Sequence, residues 1–160
     1  MRRSHGSEYV LSRRGVLRAG ILGAAALVSP SLLAACSSGT TSNGTVGTSV
    51  RVNGGSYTDI NPDDLKSMLD DKDFLFVNTH IPFEGDIPQT DLTIPFDQIQ
   101  QNLDQLLEDK DAKVVLYCRS DRMSRIAAEE LVGMGYTNIW NLDGGFNAWK
   151  NAGYPMEGTP

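Results

Sequence analysis

Cys118 opens a segment whose residue types and spacing suit nucleophilic chemistry: Cys118-Arg119-Ser120-Asp121-Arg122-Met123, followed by Ser124 and Arg125. Before it lies the apolar run Val114-Val115-Leu116-Tyr117, which reads as a buried strand. After it, Ile126, Ala127, Leu131 and Met134 fall at helical spacing, with Ser124 placed to cap the helix start. A cysteine at such a junction sits over backbone N–H groups that a helix leaves unpaired in its first turn. The helix dipole and the neighbouring Arg119, Arg122 and Arg125 favour the thiolate, the form of cysteine that attacks electrophiles. The same N–H groups suit an anionic persulfide, and the arginines suit an anionic sulfur donor. The plainer reading of a cysteine after an apolar strand is a small buried hydrophobe. Three arginines within seven residues weigh against it, because charge at that density serves no packing purpose.

The surrounding pattern alternates short apolar runs with helical spacing. Tyr57 and Ile60 mark a brief strand, and Asn61-Pro62-Asp63-Asp64 reads as an N-cap, a proline at the first helical position and an acidic first turn. Leu65, Met68 and Leu69 give that helix its apolar face. Phe74-Leu75-Phe76-Val77 matches Val114–Tyr117 as a continuous apolar strand, and Ile139, Trp140 and Leu142 suggest a third. Ile99, Leu103, Leu106 and Leu107 predict a helix between the first two of these. The expected fold is α/β, a central parallel sheet flanked by helices on both faces. Ligands in such folds bind at the carboxyl edge of the sheet, where Tyr117-Cys118 lies.

Charge is unevenly distributed. Residues 1–35 hold five arginines against the single acid Glu8, which leaves 9 basic and 19 acidic side chains, a formal charge of −10, for the remainder. So acidic a domain lacks the basic patch that nucleic-acid binding requires. Two cysteines, Cys36 and Cys118, and two histidines, His5 and His80, give neither a disulfide framework nor a metal-site spacing. No cofactor or metal is expected, and a monomer is.

The first 35 residues have the layout of an export signal. A basic stretch precedes a weakly apolar one, Ala19 to Ala35, that ends in small residues. Ser12-Arg13-Arg14-Gly15-Val16-Leu17-Arg18 resembles the twin-arginine signature, and Leu33-Ala34-Ala35-Cys36 resembles a bacterial lipobox. The alternative, an uncleaved transmembrane anchor, needs roughly 20 strongly apolar residues, more than this glycine- and serine-containing segment offers. The lipobox resemblance implies diacylglyceryl attachment at Cys36, recognition by the twin-arginine export machinery, and an extracytoplasmic, lipid-anchored location on a bacterial cell membrane. Residues 36–50, rich in Ser, Thr, Gly and Asn, read as a flexible tether, and residues 51–160 as the domain.

Residues 55–157 resemble a single-domain rhodanese. The resemblance rests on Tyr117-Cys118-Arg119-Ser120, on Ile94-Pro95, and on Asn141-Leu142-Asp143-Gly144-Gly145-Phe146-Asn147-Ala148-Trp149. It implies a sulfurtransferase that moves sulfane sulfur from an anionic donor such as thiosulfate to a thiol or cyanide acceptor. Cys118 would be the nucleophile, and Arg119, Ser120, Asp121, Arg122, Met123 and Ser124 would surround the substrate. Phosphatases and arsenate reductases of related architecture carry an arginine six positions after the cysteine, where this chain has Ser124. The sequence also departs from the rhodanese pattern. Asn78-Thr79-His80 stands where Asp-Val-Arg is common, and Gly85-Asp86-Ile87-Pro88-Gln89 replaces a His-Ile-Pro-Gly motif. Asp121 takes the place of a glycine and Met123 that of an arginine. Asp121 puts a negative charge beside the expected thiolate. His80 offers either a general acid–base group at the pocket edge or a structural substitute for arginine. Gly144-Gly145 suits a tight turn with close helix approach, and Trp149 suits the core. These departures keep open a second function, a persulfide carrier or an anion- or partner-binding module without turnover.

Overall fold

A computed structural model describes residues 46–106 and 108–158. The expected signal, the expected lipidation site Cys36 and the position Leu107 lie outside these residues. The six strands are β1 (Thr48–Val52), β2 (Gly55–Ile60), β3 (Leu75–Asn78), β4 (Leu92–Thr93), β5 (Val114–Tyr117) and β6 (Ile139–Leu142). The helices are α1 (Pro62–Asp70), α2 (Arg122–Gly133) and α3 (Gly145–Asn151), and a 3₁₀ segment covers Phe96–Gln105. One sheet contains all six strands in the order β1-β2-β6-β5-β3-β4.

The sheet is mixed rather than wholly parallel. β3, β4, β5, β6 and β2 pair in parallel, whereas β1 runs antiparallel to β2 from Thr48 opposite Asp59 to Val52 opposite Gly55. The two-residue connection Asn53-Gly54, with Gly54 at φ +93°, is a hairpin signal, and it places an ordered strand where residues 36–50 read as tether. The strand thus starts at Thr48, before the expected boundary at residue 51.

Helices cover both faces, as expected. On one side α2 and the 3₁₀ segment pack Ile99, Ala127, Ala128 and Leu131 against Tyr57, Val77, Val114, Leu116 and Ile139. On the other, α1 and α3 pack Leu65, Leu69, Phe146 and Trp149 against Ile60, Phe76, Val115, Tyr117 and Leu142. β5 lies between β6 and β3 with all four residues buried, so its side chains alternate into the two cores and exclude water from both. At the start of α1, Asn61 Oδ1 accepts from the Asp64 amide at 2.9 Å and Pro62 takes the first helical position, as the sequence predicts. The helix expected from Ile99, Leu103, Leu106 and Leu107 is instead 3₁₀, interrupted at Asn102 with φ −119° and ψ 27°. Asn102 Nδ2 donates back to the Gln98 carbonyl at 2.8 Å, a local side-chain bond that competes with regular helix.

Candidate active site

β3, β5 and β6 end side by side, so the residues that follow them share one edge of the sheet. Asn78 lies opposite Tyr117, and Leu116 lies opposite Asn141. The Thr79 amide and hydroxyl both donate to the Tyr117 carbonyl, at 2.8 and 3.0 Å, which fixes the chain leading into His80 beside the strand leading into Cys118. Asn78, fully buried, donates to the Gly85 carbonyl at 3.2 Å and to Asp86 Oδ1 at 2.9 Å, while its Oδ1 accepts from the His80 amide at 2.9 Å. Asn78 therefore holds both ends of the turn from His80 to Asp86. Below it, the Tyr117 hydroxyl meets the Ile87 amide, Thr90 Oγ1 and Asp86 Oδ1 at 3.0, 2.7 and 3.1 Å. Burial pushes this phenol well above its ordinary value, so it remains a neutral hydrogen-bonding strut.

Cys118 is 1% exposed and lines a cavity of about 480 Å3 with His80, Arg119, Ser120, Arg122, Met123 and Asn147. The main chain behind it is anchored to α3. The Cys118 carbonyl accepts from the Phe146 amide at 2.8 Å and the Arg119 carbonyl from the Asn147 amide at 3.0 Å. Gly145, at φ +59°, permits the approach, because a Cβ there would stand 2.2 Å from the Cys118 oxygen. Close helix approach at Gly144-Gly145 is thus observed, and Trp149 is core at 1% exposure. In a planar trans peptide the N–H points opposite to the C=O, so the Arg119 and Ser120 amides are directed away from α3.

The helix after Cys118 starts at Arg122, three residues earlier than a cap at Ser124 requires, and Asp121 occupies the N-cap position. The turn is correspondingly shorter than the six-residue loop from Cys118 to Met123. Ser124 lies in the first turn, buried, with its hydroxyl 3.5 Å from Cys118 Sγ and 3.0 Å from the Asp121 carbonyl oxygen. It approaches the sulfur but is not among the residues that line the cavity, and neither is Asp121.

Asp121 adopts φ +86°, the backbone region that glycine enters freely and aspartate tolerates better than most side chains. Its carboxylate gives α2 no capping hydrogen bond. Instead Oδ1 accepts from Asn141 Nδ2 at 2.6 Å, and Oδ2 lies 3.0 Å from Arg125 Nε, without the alignment of a hydrogen bond. Arg125 also donates to Asp59 Oδ2 at 3.0 Å, and Asn141 donates to Asp59 Oδ1 at 2.7 Å. Two expectations change here. The Asp121 charge is engaged by Asn141 and Arg125 instead of opposing the sulfur, and Arg125 is committed to two carboxylates outside the cavity lining. Burial raises the Asp121 carboxyl above its ordinary value, with Asp59 and Asp143 adding to the rise and Asn141 and Arg125 opposing it. Asp121 leaves the first-turn amides of α2 without a side-chain cap from the N-cap position.

At the rim, Glu84 joins two of the expected site residues. Its Oε1 lies 3.2 Å from His80 Nε2 and accepts from Arg119 Nη1 at 3.0 Å. The bond to His80, with Arg119 assisting, holds the Glu84 carboxyl below its ordinary range. His80 itself is buried, edge-on to Phe146 at 5.4 Å between ring centroids, and its Nδ1 has no hydrogen-bond partner among the described residues. Arg119 and Arg122 are exposed at the cavity. Of the residues expected around the substrate, then, Arg119, Ser120, Arg122 and Met123 meet at the cavity with His80, whereas Asp121 and Ser124 support it from behind. Sequence reasoning missed Glu84 and Asn147. Asn147 stood within the quoted motif near the end of the chain, while nothing local to Glu84 marks its pairing with Arg119, 35 residues away.

Comparison with known proteins agrees with this architecture. The family model of the rhodanese-like domain matches residues 61–152. A protein named sulfurtransferase from Allochromatium vinosum is 36% identical over 92 residues, covering 56% of this chain and 83% of that protein. A tRNA uridine(34) hydroxylase from Erwinia tasmaniensis is 32% identical over 88 residues, covering 51% of this chain and only 25% of its own length. The crystal structure of a rhodanese-like domain protein from Staphylococcus aureus superposes with a TM-score of 0.52 at 28% identity, covering 62% of this chain and 98% of that one. With its matched segment, its mixed sheet and its cysteine at the end of β5, the chain belongs to the rhodanese-like domain family.

Proposed function

We propose that the protein is a sulfurtransferase in which Cys118 carries sulfane sulfur as a persulfide. One observation supports this above the others: Cys118 lines a cavity at the start of a helix whose N-cap side chain is turned elsewhere. The Cys118 thiolate attacks the outer sulfur of a donor, thiosulfate being the simplest, forming the Cys118 S–S bond as the donor S–S bond breaks. Sulfite leaves with the bonding electron pair. A thiol or cyanide acceptor then attacks the outer sulfur of the persulfide and returns Cys118 as thiolate. Amides of the turn and of the first turn of α2 stabilise the anionic outer sulfur, and Arg119 and Arg122 receive the anionic donor. The purified chain, given thiosulfate and cyanide, should form thiocyanate, and Cys118→Ser should not. Equal turnover in the two proteins would sink the proposal.

A carrier without useful turnover is the second reading, favoured by the 1% exposure of Cys118, which leaves its sulfur reachable only through the cavity. Stable gain of one sulfur atom at Cys118 with negligible thiocyanate formation distinguishes it. We also propose export by the twin-arginine route and lipid attachment at Cys36. The processed protein should fractionate with membranes, and Cys36→Ala should release it.

A further inference from the structure

Glu84 touches two residues that line the cavity, His80 and Arg119. Its hydrogen bonds keep the carboxyl below its ordinary value, so it is an anion at neutral pH. The rim consequently carries one arginine balanced by a carboxylate, Arg119, and one with no acidic partner among the described residues, Arg122. An incoming donor meets less positive charge than the sequence suggests. A dianion feels that deficit twice as strongly as a monoanion, and a neutral species is nearly indifferent to it. A dianion must also compete with Glu84 for the Arg119 guanidinium.

The geometry points to Glu84 as the specificity-determining residue of the Cys118 site, selecting an organic persulfide as sulfur donor over dianionic thiosulfate. This rests on the sulfurtransfer reading and narrows its donor class. Loading then proceeds from the protonated persulfide RSSH: the Cys118 thiolate attacks the outer sulfur, the Cys118 S–S bond forms, the donor S–S bond breaks, and RS⁻ departs with the electron pair. The product is Cys118-SSH, so one sulfur atom and its proton move and no external oxidant or reductant is required. Glu84 acts through Arg119, which makes it a positioning residue for the donor and not a member of the bond-making set.

The test loads the full chain with sulfur from thiosulfate or from 2-hydroxyethyl persulfide and follows the gain of one sulfur atom on Cys118 by quenched mass spectrometry. Donor concentration is varied, so that half-saturation and maximal rate are separated. Wild type should load more efficiently from the persulfide. Glu84→Gln, which keeps the shape and the hydrogen-bond acceptor, should shift the efficiency ratio about tenfold toward thiosulfate, almost entirely through a lower half-saturating thiosulfate concentration. Glu84→Asp, which retains the charge, should leave the ratio near the wild-type value. A ratio unmoved in Glu84→Gln, or moved toward the persulfide, overturns the role of Glu84 while leaving sulfur transfer intact. Failure of both donors to load wild type, or loading that persists in Cys118→Ser, overturns the sulfurtransfer reading itself.

Discussion

Two carboxylates flank the Cys118 turn and have opposite environments. Asp121 is folded inward beneath the loop, where Asn141 and Arg125 engage it and burial raises its proton affinity. Glu84 lies at the rim, where His80 and Arg119 lower its proton affinity. Sequence position suggests the reverse ranking, since Asp121 is three residues from the cysteine and Glu84 is remote in the chain. The difference teaches that a charge beside a nucleophile is defined by what its oxygens face. Asp121 serves the backbone shape of the turn, and Glu84 serves the electrostatics of the opening.

Cys118→Ser sets the scale for both. Transfer should fall at least about a thousandfold with the nucleophile gone, and adding Glu84→Gln on that background should change nothing measurable in thiocyanate formation. Gly145→Ala tests the rigidity of the inner side. Its Cβ would fall 2.2 Å from the Cys118 oxygen, so α3 must retreat, and urea unfolding should show a loss of about 1–3 kcal/mol together with reduced transfer. Asp121→Val should cost a similar amount, about 1–3 kcal/mol, because a β-branched residue replaces one that tolerates φ +86° and the Asn141 contact is lost. Glu84→Ala should barely move the unfolding midpoint.

The finest discrimination lies in the pH dependence of stability. The folded-state value of Asp121 is raised above its ordinary 3.8, so its charged form costs stability above the raised value, and that cost disappears as the pH falls toward 3.8. The unfolding midpoint of wild type relative to Asp121→Asn should therefore rise on acidification. Glu84 is lowered from 4.5, so its contribution is complete above 4.5 and is lost as the pH falls through the lower folded-state value. Wild type relative to Glu84→Gln should decline over that range. Slopes of the same sign would break the comparison between the two carboxylates.

The parts legible in the sequence were those fixed by near neighbours. Val114–Tyr117 announced β5 as four apolar residues in succession, and Asn61-Pro62 announced the start of α1 through a cap that reaches only three residues ahead. β1 was concealed because Thr48 and Ser49 continue the composition of the preceding segment, although Asn53-Gly54 carried a hairpin signal that went unused. The 3₁₀ segment shared the spacing of an α-helix at Ile99, Leu103 and Leu106, and only the Asn102 bond and kink separate the two geometries. At the site, Cys118 and the adjoining arginines were visible as candidates, as was the unusual residue at Asp121. Where Asp121 and Arg125 point was not, because their partners Asn141 and Asp59 lie 20 and 66 residues away, respectively. A pairing across that distance exists only once the sheet has brought β2, β5 and β6 together.

The bonds from Phe146 and Asn147 to the Cys118 and Arg119 carbonyls have a further thermodynamic consequence. They order the turn when the domain folds, so capture of a ligand there would carry little additional loss of chain entropy. A receptor prepared in this way would take up and release a guest without unfolding, which suits the proposed passage of sulfur through Cys118.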